Sequence, residues 1–252
     1  MSKGLLDPKV DFVFKNIFGS PNHPEILISF LNATLKAKKK IVNVDIKKTD
    51  IEKQYIEDKY SRLDVKATTS NDEIINIEIQ LKNENNMVKR SLYYLSKMYE
   101  EQLNEKEDYS KLVRTVCINI LNFKYLKTDN FHTGYRFKEI ESNEELTDIM
   151  EVHFIEIPKL QDSSDEKDML VAWTEFLKDP ESEKVRGLEL SIEEIRQAKD
   201  ELIRMSNDST QRELYDMRAN SLRDKMSELN AAERKGIEKG REEGRKEEKI
   251  KI

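Results

Sequence analysis

Cysteine is nearly absent, because Cys117 is the single cysteine among 252 residues. One cysteine excludes an intrachain disulfide and any zinc cluster built on several cysteines. Cys117 lies in the apolar run VCINIL, where we expect a buried strand residue. Such cysteine usage is typical of a reducing compartment, and we expect a cytoplasmic location.

Long hydrophobic runs are missing as well. No segment approaches the roughly 20 apolar residues that span a bilayer, and the N-terminal MSKGLLDPKVDF has no apolar run of signal-peptide length. Charged residues make up 37% of the chain and the mean hydropathy is −0.77, yet hydrophobic residues also reach 37%. We therefore expect a folded protein with polar extensions and no membrane partner.

Two common kinds of site are absent too. The glycines form no phosphate-binding loop, since those near the C-terminus have no strand before them. The three histidines, His23, His132 and His153, are far apart without the spacing of metal ligands. We read none of them as catalytic.

Net positive charge is lacking, since the chain carries −6 at pH 7. The distribution is uneven, with a net of +3 over residues 1–60, zero over 61–130 and −9 over 131–252. The N-terminal half is therefore free to meet an anionic ligand. Its lysines at 36 and 38–40 either contact phosphates or complement the end of a helix.

Hydrophobic spacing and turn residues predict a mixed α/β chain. The stretch LLDPKVDFVFKNIFG is predicted to be a helix with Asp7 as its N-cap and Gly19 at its end, and a second helix is expected at about 24–37. The segments that follow are a strand in IVNVDIKKTDIE, an antiparallel hairpin of YSRLDVKATT and DEIINIEIQLK around the turn SND, a helix at about 86–104, and strands in LVRTVCINILNF, GYRFKEIE and IMEVHFIEIP. After Asp162 the pattern is helical.

The last residues, from about 230, are charged and punctuated by Gly236, Gly240 and Gly244. Each glycine costs about 1 kcal/mol relative to alanine inside a helix. We therefore expect a frayed, solvated tail. The alternative is a helix whose glycine stripe lets another helix approach closely.

The strand NIEIQLK, residues 76–82, alternates cleanly between apolar and polar side chains. If the turn SND closes the hairpin, Asp64 faces Glu78 across the two strands at about 5 Å, and Gln80 points the same way as Glu78. Two carboxylates so close repel unless a cation lies between them. Either they bind a hard cation such as Mg²⁺, or they are exposed and neutralised by Arg62 and Lys66.

The ordered set of motifs DFVFKNIFG, Asp64 in RLD, Glu78-Ile79-Gln80, and RSLYYLSKMYEEQL resembles the PD-(D/E)XK nuclease superfamily. More narrowly, it resembles the recombination-promoting nuclease or PD-(D/E)XK transposase-type family of bacteria, over about residues 5–180. The resemblance implies a restriction-endonuclease-like mixed-sheet core (αβββαβ) flanked by helices. It also implies a division into a nuclease-like core at 1–160, a helical extension at 161–229 and a tail at 230–252.

The resemblance further implies metal-dependent hydrolysis of DNA by an endonuclease with Mg²⁺ or Mn²⁺. Asp64 and Glu78 would bind the metal with the backbone carbonyl of Ile79. Asp11 matches an acidic position that assists metal binding in many members, although an ion pair with Lys15 four residues later explains it equally well.

Gln80 departs from the superfamily, whose motif has lysine at this position. The positive charge of that lysine is therefore missing, and glutamine can only orient the attacking water by hydrogen bonding. Arg90 is the candidate for a substitute cation, with a surface arginine as the alternative.

Lys15, Lys66 and Arg90 are the expected DNA contacts. Tyr93 and Tyr94 are expected to pack rather than to stack on bases. Two other functions stay open: a DNA-binding protein of the same fold that no longer cuts, and an interaction protein that assembles through its C-terminal helices. A homo-oligomer is the partner state considered.

Overall fold

A mixed six-stranded sheet lies at the centre of the molecule, in a computed structural model that describes residues 4–36, 39–47, 65–165 and 167–250. The strand order is β1-β2-β3-β4-β6-β5. The strands are β1 (Val44–Lys47), β2 (Val65–Thr69), β3 (Ile74–Gln80), β4 (Thr115–Leu121), β5 (His132–Lys138) and β6 (Glu145–Glu156). The pairs β3–β4 and β4–β6 are parallel and the other pairs are antiparallel.

The helices precede, interrupt and follow this sheet. They are α1 (Asp11–Phe18), α2 (Pro24–Leu35), α3 (Met87–Glu100), α4 (Met169–Lys178), α5 (Glu183–Glu189), α6 (Glu193–Asn207) and α7 (Ser209–Ile250). The order of helix, three strands, helix and strand confirms the predicted αβββαβ core, and the α/β architecture is that of a restriction-endonuclease-like fold with a helical C-terminal extension.

The main hydrophobic core lies on one face of the sheet. The apolar side chains of β3, Ile75, Ile77 and Ile79, are buried there. They belong to the same core as helices that come before the sheet in the chain and helices that come after it. Phe18 of α1 and Trp173 of α4 meet edge-to-face with ring centroids 5.3 Å apart, and both are fully buried. Burying aromatic side chains of this size is the largest single source of hydrophobic stabilisation in such a core.

A smaller cluster lies on the opposite face of the sheet, where α3 packs across β4 and β6. It contains Met87 and Leu95 from α3 and Cys117 from β4, and Cys117 is buried as expected. Burial raises the pKa of the Cys117 thiol to about 12. The polar face of β3 is on this side, and α3 therefore covers it.

The ends of the first two helices differ in part from expectation. Helix α1 begins at Asp11 rather than after Asp7, because Asp7 Oδ1 accepts a hydrogen bond from Lys9 N at 2.9 Å and forms a turn there. Gly19 ends the helix as predicted. Lys36 ends α2 with a left-handed backbone (φ 46°), and its Nζ lies 3.2 Å from Asp168 Oδ2, in agreement with the helix-end reading for this lysine.

The expectation of a frayed tail is wrong, because α7 continues through all three tail glycines. The helix is anchored near its start, where Arg212 Nη2 donates to Gly4 O at 2.9 Å and to Ser206 O at 2.7 Å. Further along, Lys82 Nζ lies 3.0 Å from Asn230 Oδ1. The boundary placed at 229 falls inside α7, and the division of the chain into regions stays a prediction. None of the helices described has the length and apolarity needed to cross a membrane.

Candidate functional site

The polar face of β3 is buried, not solvated. Asn76 and Glu78 are 0% and 1% exposed, because α3 lies over the positions that the strand alternation turns away from the main core. A carboxylate in the interior costs free energy unless it is paired and hydrogen-bonded. The burial of Glu78 therefore raises the question of what compensates its charge.

Glu78 is held through one oxygen. Glu78 Oε1 accepts hydrogen bonds from Arg90 Nε at 2.9 Å, from Arg90 Nη2 and from Gln80 Nε2 at 2.9 Å. Glu78 Oε2 is buried and accepts no hydrogen bond from any residue that the structure describes. The carboxylate thus has one fully engaged oxygen and one that is available to a ligand.

Arg90 provides the compensating charge. Its side chain is 19% exposed and its guanidinium lies 5.3 Å from the centre of the Tyr94 ring. Burial lowers the pKa of Arg90, but the hydrogen bond and the charge of Glu78 more than offset this, and the pKa lies above its usual value. The arrangement places a cation against Glu78, and the role of Arg90 as a substitute for the missing lysine stays a prediction.

Asp64 and Arg62 lie outside the described residues. The hairpin register is nevertheless visible beside them, since Val65 pairs with Ile77 and Lys66 pairs with Asn76. This register supports the predicted antiparallel hairpin. Continued by one position it joins 64 with 78, so the opposition of Asp64 and Glu78 stays a prediction.

Gln80 and Ile79 occupy opposite faces of β3. Because the Nε2 group of Gln80 donates to Glu78, the side chain supports the carboxylate, and its Oε1 remains as the acceptor toward a water. Ile79 is buried in the main core and pairs with Ile120 of β4. The part of the site that Ile79 would supply is its backbone carbonyl.

Asp11 pairs with a residue from the far end of the chain. Asp11 Oδ2 lies 2.8 Å from Arg218 Nη1 of α7, and the same guanidinium lies 5.9 Å from the centre of the Phe12 ring. Among the described residues, no hydrogen bond or ion pair joins Asp11 to Glu78. The ion pair described for Asp11 is thus with Arg218, and the expected pair with Lys15 stays a prediction.

The expected DNA contacts lie on three different elements. Lys15 is half-buried on α1, and Lys66 on β2 has a side chain that is 25% exposed with Nζ 3.8 Å from Glu101 Oε2. Arg90 is the member of this set that touches Glu78. The prediction that Tyr93 and Tyr94 pack is right for Tyr94, which is 2% exposed, and wrong for Tyr93, which is 52% exposed.

Sequence reasoning missed the buried amide beside the site. Asn119 of β4 is the register partner of Glu78 and is 0% exposed. Its Oδ1 accepts from Ser91 Oγ at 2.8 Å and its Nδ2 donates to His153 O at 3.0 Å. The signal was a lone asparagine inside the apolar run VCINIL, which indicates a polar group that must be satisfied in the interior.

Two of the histidines meet in a second polar cluster. His132 Nε2 and His153 Nδ1 lie 2.9 Å apart, and His153 Nε2 also pairs with Glu151. Glu151 accepts from Arg114 at 2.7 Å and from Arg136 at 2.6 Å. Although burial raises the pKa of Glu151, these hydrogen bonds lower it to about 2. This cluster is an ion-pair network at the β5–β6 edge, and sequence spacing could not reveal it.

The described residues around Glu78 offer a hard cation one carboxylate oxygen. Within the described ranges, no group of three or more His, Cys, Asp or Glu residues could hold a metal ion. Glu78 Oε2 is, however, a buried carboxylate oxygen without a partner, and oxygen is the donor that Mg²⁺ prefers. The residues present fit one half of a metal site, and the predicted other half, Asp64, lies beyond the described strand.

Comparison with known families gives one match. The model of the PD-(D/E)XK nuclease family transposase matches residues 8–232, a range that contains Asp11, Asp64, Glu78 and Arg90. Searches of curated proteins and of solved structures found no match.

Proposed function

Because the chain belongs to the PD-(D/E)XK nuclease family transposases, we propose that it is an endonuclease that hydrolyses DNA phosphodiester bonds with a bound divalent cation. The family supports a nuclease of transposase type. The metal, the mode of cutting and the residues that act are the proposal.

The observation that carries the proposal is the asymmetric state of the Glu78 carboxylate. One oxygen is held by Arg90 and Gln80, and the other is buried without a hydrogen bond from the described residues. An unsatisfied buried polar atom costs about 1–3 kcal/mol. A ligand that uses Oε2 therefore accounts for a group that would otherwise be destabilising.

Glu78 and Asp64 would hold Mg²⁺ or Mn²⁺, with the backbone carbonyl of Ile79 as a further oxygen donor. When bound there, the cation acidifies a water and offsets charge on the phosphate. Asp11 would assist once Arg218 releases it. Lys15 and Lys66 would contact DNA phosphates, which would make binding weaken with salt.

Arg90 and Gln80 have supporting roles that follow from their contacts. Arg90 orients the Glu78 carboxylate and offsets its charge, and its guanidinium would add positive charge where negative charge develops on the phosphate. Gln80 Nε2 donates to Glu78, so Gln80 Oε1 would accept a hydrogen bond from the attacking water and orient it. This arrangement provides the charge of the absent lysine from the following helix.

The test is nicking of supercoiled plasmid by the wild type, Asp64→Ala and Glu78→Gln, each with Mg²⁺ and with EDTA. We expect nicking that requires metal and whose rate falls by about 100-fold or more in Asp64→Ala and Glu78→Gln. Each of these variants removes a ligand of the cation that stabilises the charge of the transition state. Glu193→Gln, at an exposed carboxylate on α6, is the matched control and should cut as the wild type does. Equal cutting by all four proteins would reject the site.

A binding protein that no longer cuts is the second candidate, and Gln80 in place of lysine is the observation that favours it. Mg²⁺ binding without nicking, in the wild type and in Gln80→Lys, would establish it. Nicking that accelerates in Gln80→Lys would instead support a slow nuclease. The third candidate is assembly through the C-terminal helices. Its test is the mass in solution after deletion of residues 230–252, since an unchanged mass counts against assembly through the tail.

A further inference from the structure

We propose that Asn76 is a positioning residue of the metal site, where its Oδ1 accepts a hydrogen bond from a water bound to the cation. The inference deepens the proposed function and rests on it. It follows from the burial of Asn76, from the contact of its Nδ2 with Cys117, and from its place on β3 relative to Glu78.

Asn76 is polar at a position where a strand normally carries an apolar side chain. It is 0% exposed, and its Oδ1 accepts no hydrogen bond from the part of the chain that the structure describes. Buried amide oxygens are nearly always satisfied by protein or by ordered water. Asn76 and Glu78 therefore each have one buried, unsatisfied oxygen on the same face of one strand.

The amide of Asn76 has a defined direction. Its Nδ2 is 3.8 Å from Cys117 Sγ, and Cys117 is the register partner of Asn76 on β4. Since the two amide atoms diverge from one carbon, Oδ1 points away from the Cys117 sulfur. On the other side of β3, the register partner of Asn76 is Lys66 of β2, and Asp64 is two positions before Lys66 in the sequence.

The spacing along β3 suits a bridging water. Asn76 and Glu78 are two residues apart, which is about 6.6 Å in a strand. Two metal–oxygen bonds of about 2.1 Å, one to Glu78 and one to the water, followed by a hydrogen bond of about 2.8 Å from the water to Asn76 form a path of at most about 7 Å, which is long enough to join side chains at this spacing. Mg²⁺ usually keeps several waters, and a group that orients them tunes the affinity of the site.

A purely structural asparagine is the alternative, and the chain provides its matched control. Asn71, in the turn of the same hairpin, also has a buried Oδ1 without a partner. It lies beyond the opposite end of β3 from Glu78. Removing the Asn71 amide should therefore not change the binding of a metal held by Glu78.

The experiment is titration of the full-length protein with Mn²⁺ alone, followed by electron paramagnetic resonance. The proteins are the wild type, Asn76→Leu, Asn76→Ala, Asn76→Asp, Asn71→Ala and Glu78→Gln, and the melting temperature of each is measured in EDTA. We expect about tenfold weaker Mn²⁺ binding in Asn76→Leu and Asn76→Ala, as for other groups that orient metal ligands. Asn76→Asp, which keeps an acceptor, should bind at least as tightly as the wild type, and Asn71→Ala should match it.

Two failures are distinguishable. If the wild type and Glu78→Gln bind Mn²⁺ equally, or neither binds it, the metal site itself is wrong and the inference falls with it. If Glu78→Gln loses binding while both Asn76→Leu and Asn76→Ala bind as the wild type does, the metal site stands and only the role of Asn76 is overturned. The melting temperatures in EDTA show whether each variant is folded. If leucine does not fit at position 76 and Asn76→Leu does not fold, Asn76→Ala still tests the inference.

Discussion

Arg90 and Glu78 join α3 to β3 by a forked ion pair in which both Nε and Nη2 of the guanidinium donate to Oε1 of the carboxylate. The pair lies beneath the surface, since the carboxylate is 1% exposed and the guanidinium side chain 19%. Two parallel donors fix the carboxylate in orientation as well as in charge. The other oxygen of Glu78 is thereby presented in one direction.

Removing Arg90 should be strongly destabilising. Arg90→Ala leaves Glu78 buried without its counter-ion, and breaking a buried pair in this way costs about 3–5 kcal/mol. Urea unfolding measures the change in free energy. Arg196→Ala, which breaks the exposed pair with Glu193, is the control and should leave the unfolding free energy nearly unchanged. Equal effects of the two substitutions would mean that Glu78 is not dependent on Arg90.

Stability should fall with acid through His132. Burial, together with the neighbouring His153 and Lys36, lowers the pKa of His132 to about 4, while Asp168 and Glu151 act in the opposite direction. The unfolded chain therefore takes up a proton first as pH falls from about 6.5, and the loss of stability grows until about pH 4, where it reaches at most about 3 kcal/mol.

Urea unfolding at a series of pH values checks this expectation. His132→Gln should flatten the decline of the unfolding free energy between about pH 6.5 and 4. His23→Gln, at a surface histidine beside Glu25, should keep the slope of the wild type. A slope that survives in His132→Gln would assign the acid sensitivity to another group.

The glycines of α7 should tolerate and even favour alanine. A Cβ at Gly236 or Gly240 meets no atom within 4 Å, and alanine is better than glycine in a helix by about 1 kcal/mol. The double substitution should increase the helical circular dichroism signal without changing the melting temperature of the core.

Gly134→Ala is the opposite case, since its Cβ would lie 3.0 Å from His153 Cε1. The ring of His153 cannot yield easily, because Glu151 and His132 hold its two nitrogens. We expect a loss of about 1–3 kcal/mol from this overpacking. A lowered melting temperature for the α7 double variant would contradict the packing described. An unchanged melting temperature for Gly134→Ala would contradict it as well.

Arg218→Ala should separate the two roles of Asp11. The ion pair is exposed on both sides, at 42% and 44%, so its loss should lower stability by less than about 1 kcal/mol. If Asp11 assists the metal, freeing its carboxylate should also accelerate plasmid nicking. Arg196→Ala, at another exposed pair, is the control for surface charge. Unchanged nicking in Arg218→Ala would leave Asp11 with a structural role.

Much of the architecture could be predicted because it is local. The alternation in NIEIQLK places Glu78 and Gln80 on one face of a strand whatever surrounds it, and the turn SND sets the register that the structure has at Val65 and Ile77. The end of α1 at Gly19 and the order of strands and helices follow from the same short-range signals. The tail was mispredicted because glycine propensity argued against a helix that the structure continues through all three glycines.

Partners distant in sequence were decided by the tertiary structure. The period of a strand determines which face a side chain occupies, but only the packing of α3 across that face buries Asn76 and Glu78. Asp11 meets Arg218 because α7 returns to α1, and His132 meets His153 because β5 pairs with β6. Sequence alone determined which residues share a face. The tertiary structure decided which of them are buried, and burial turns an ordinary polar strand into a candidate metal site.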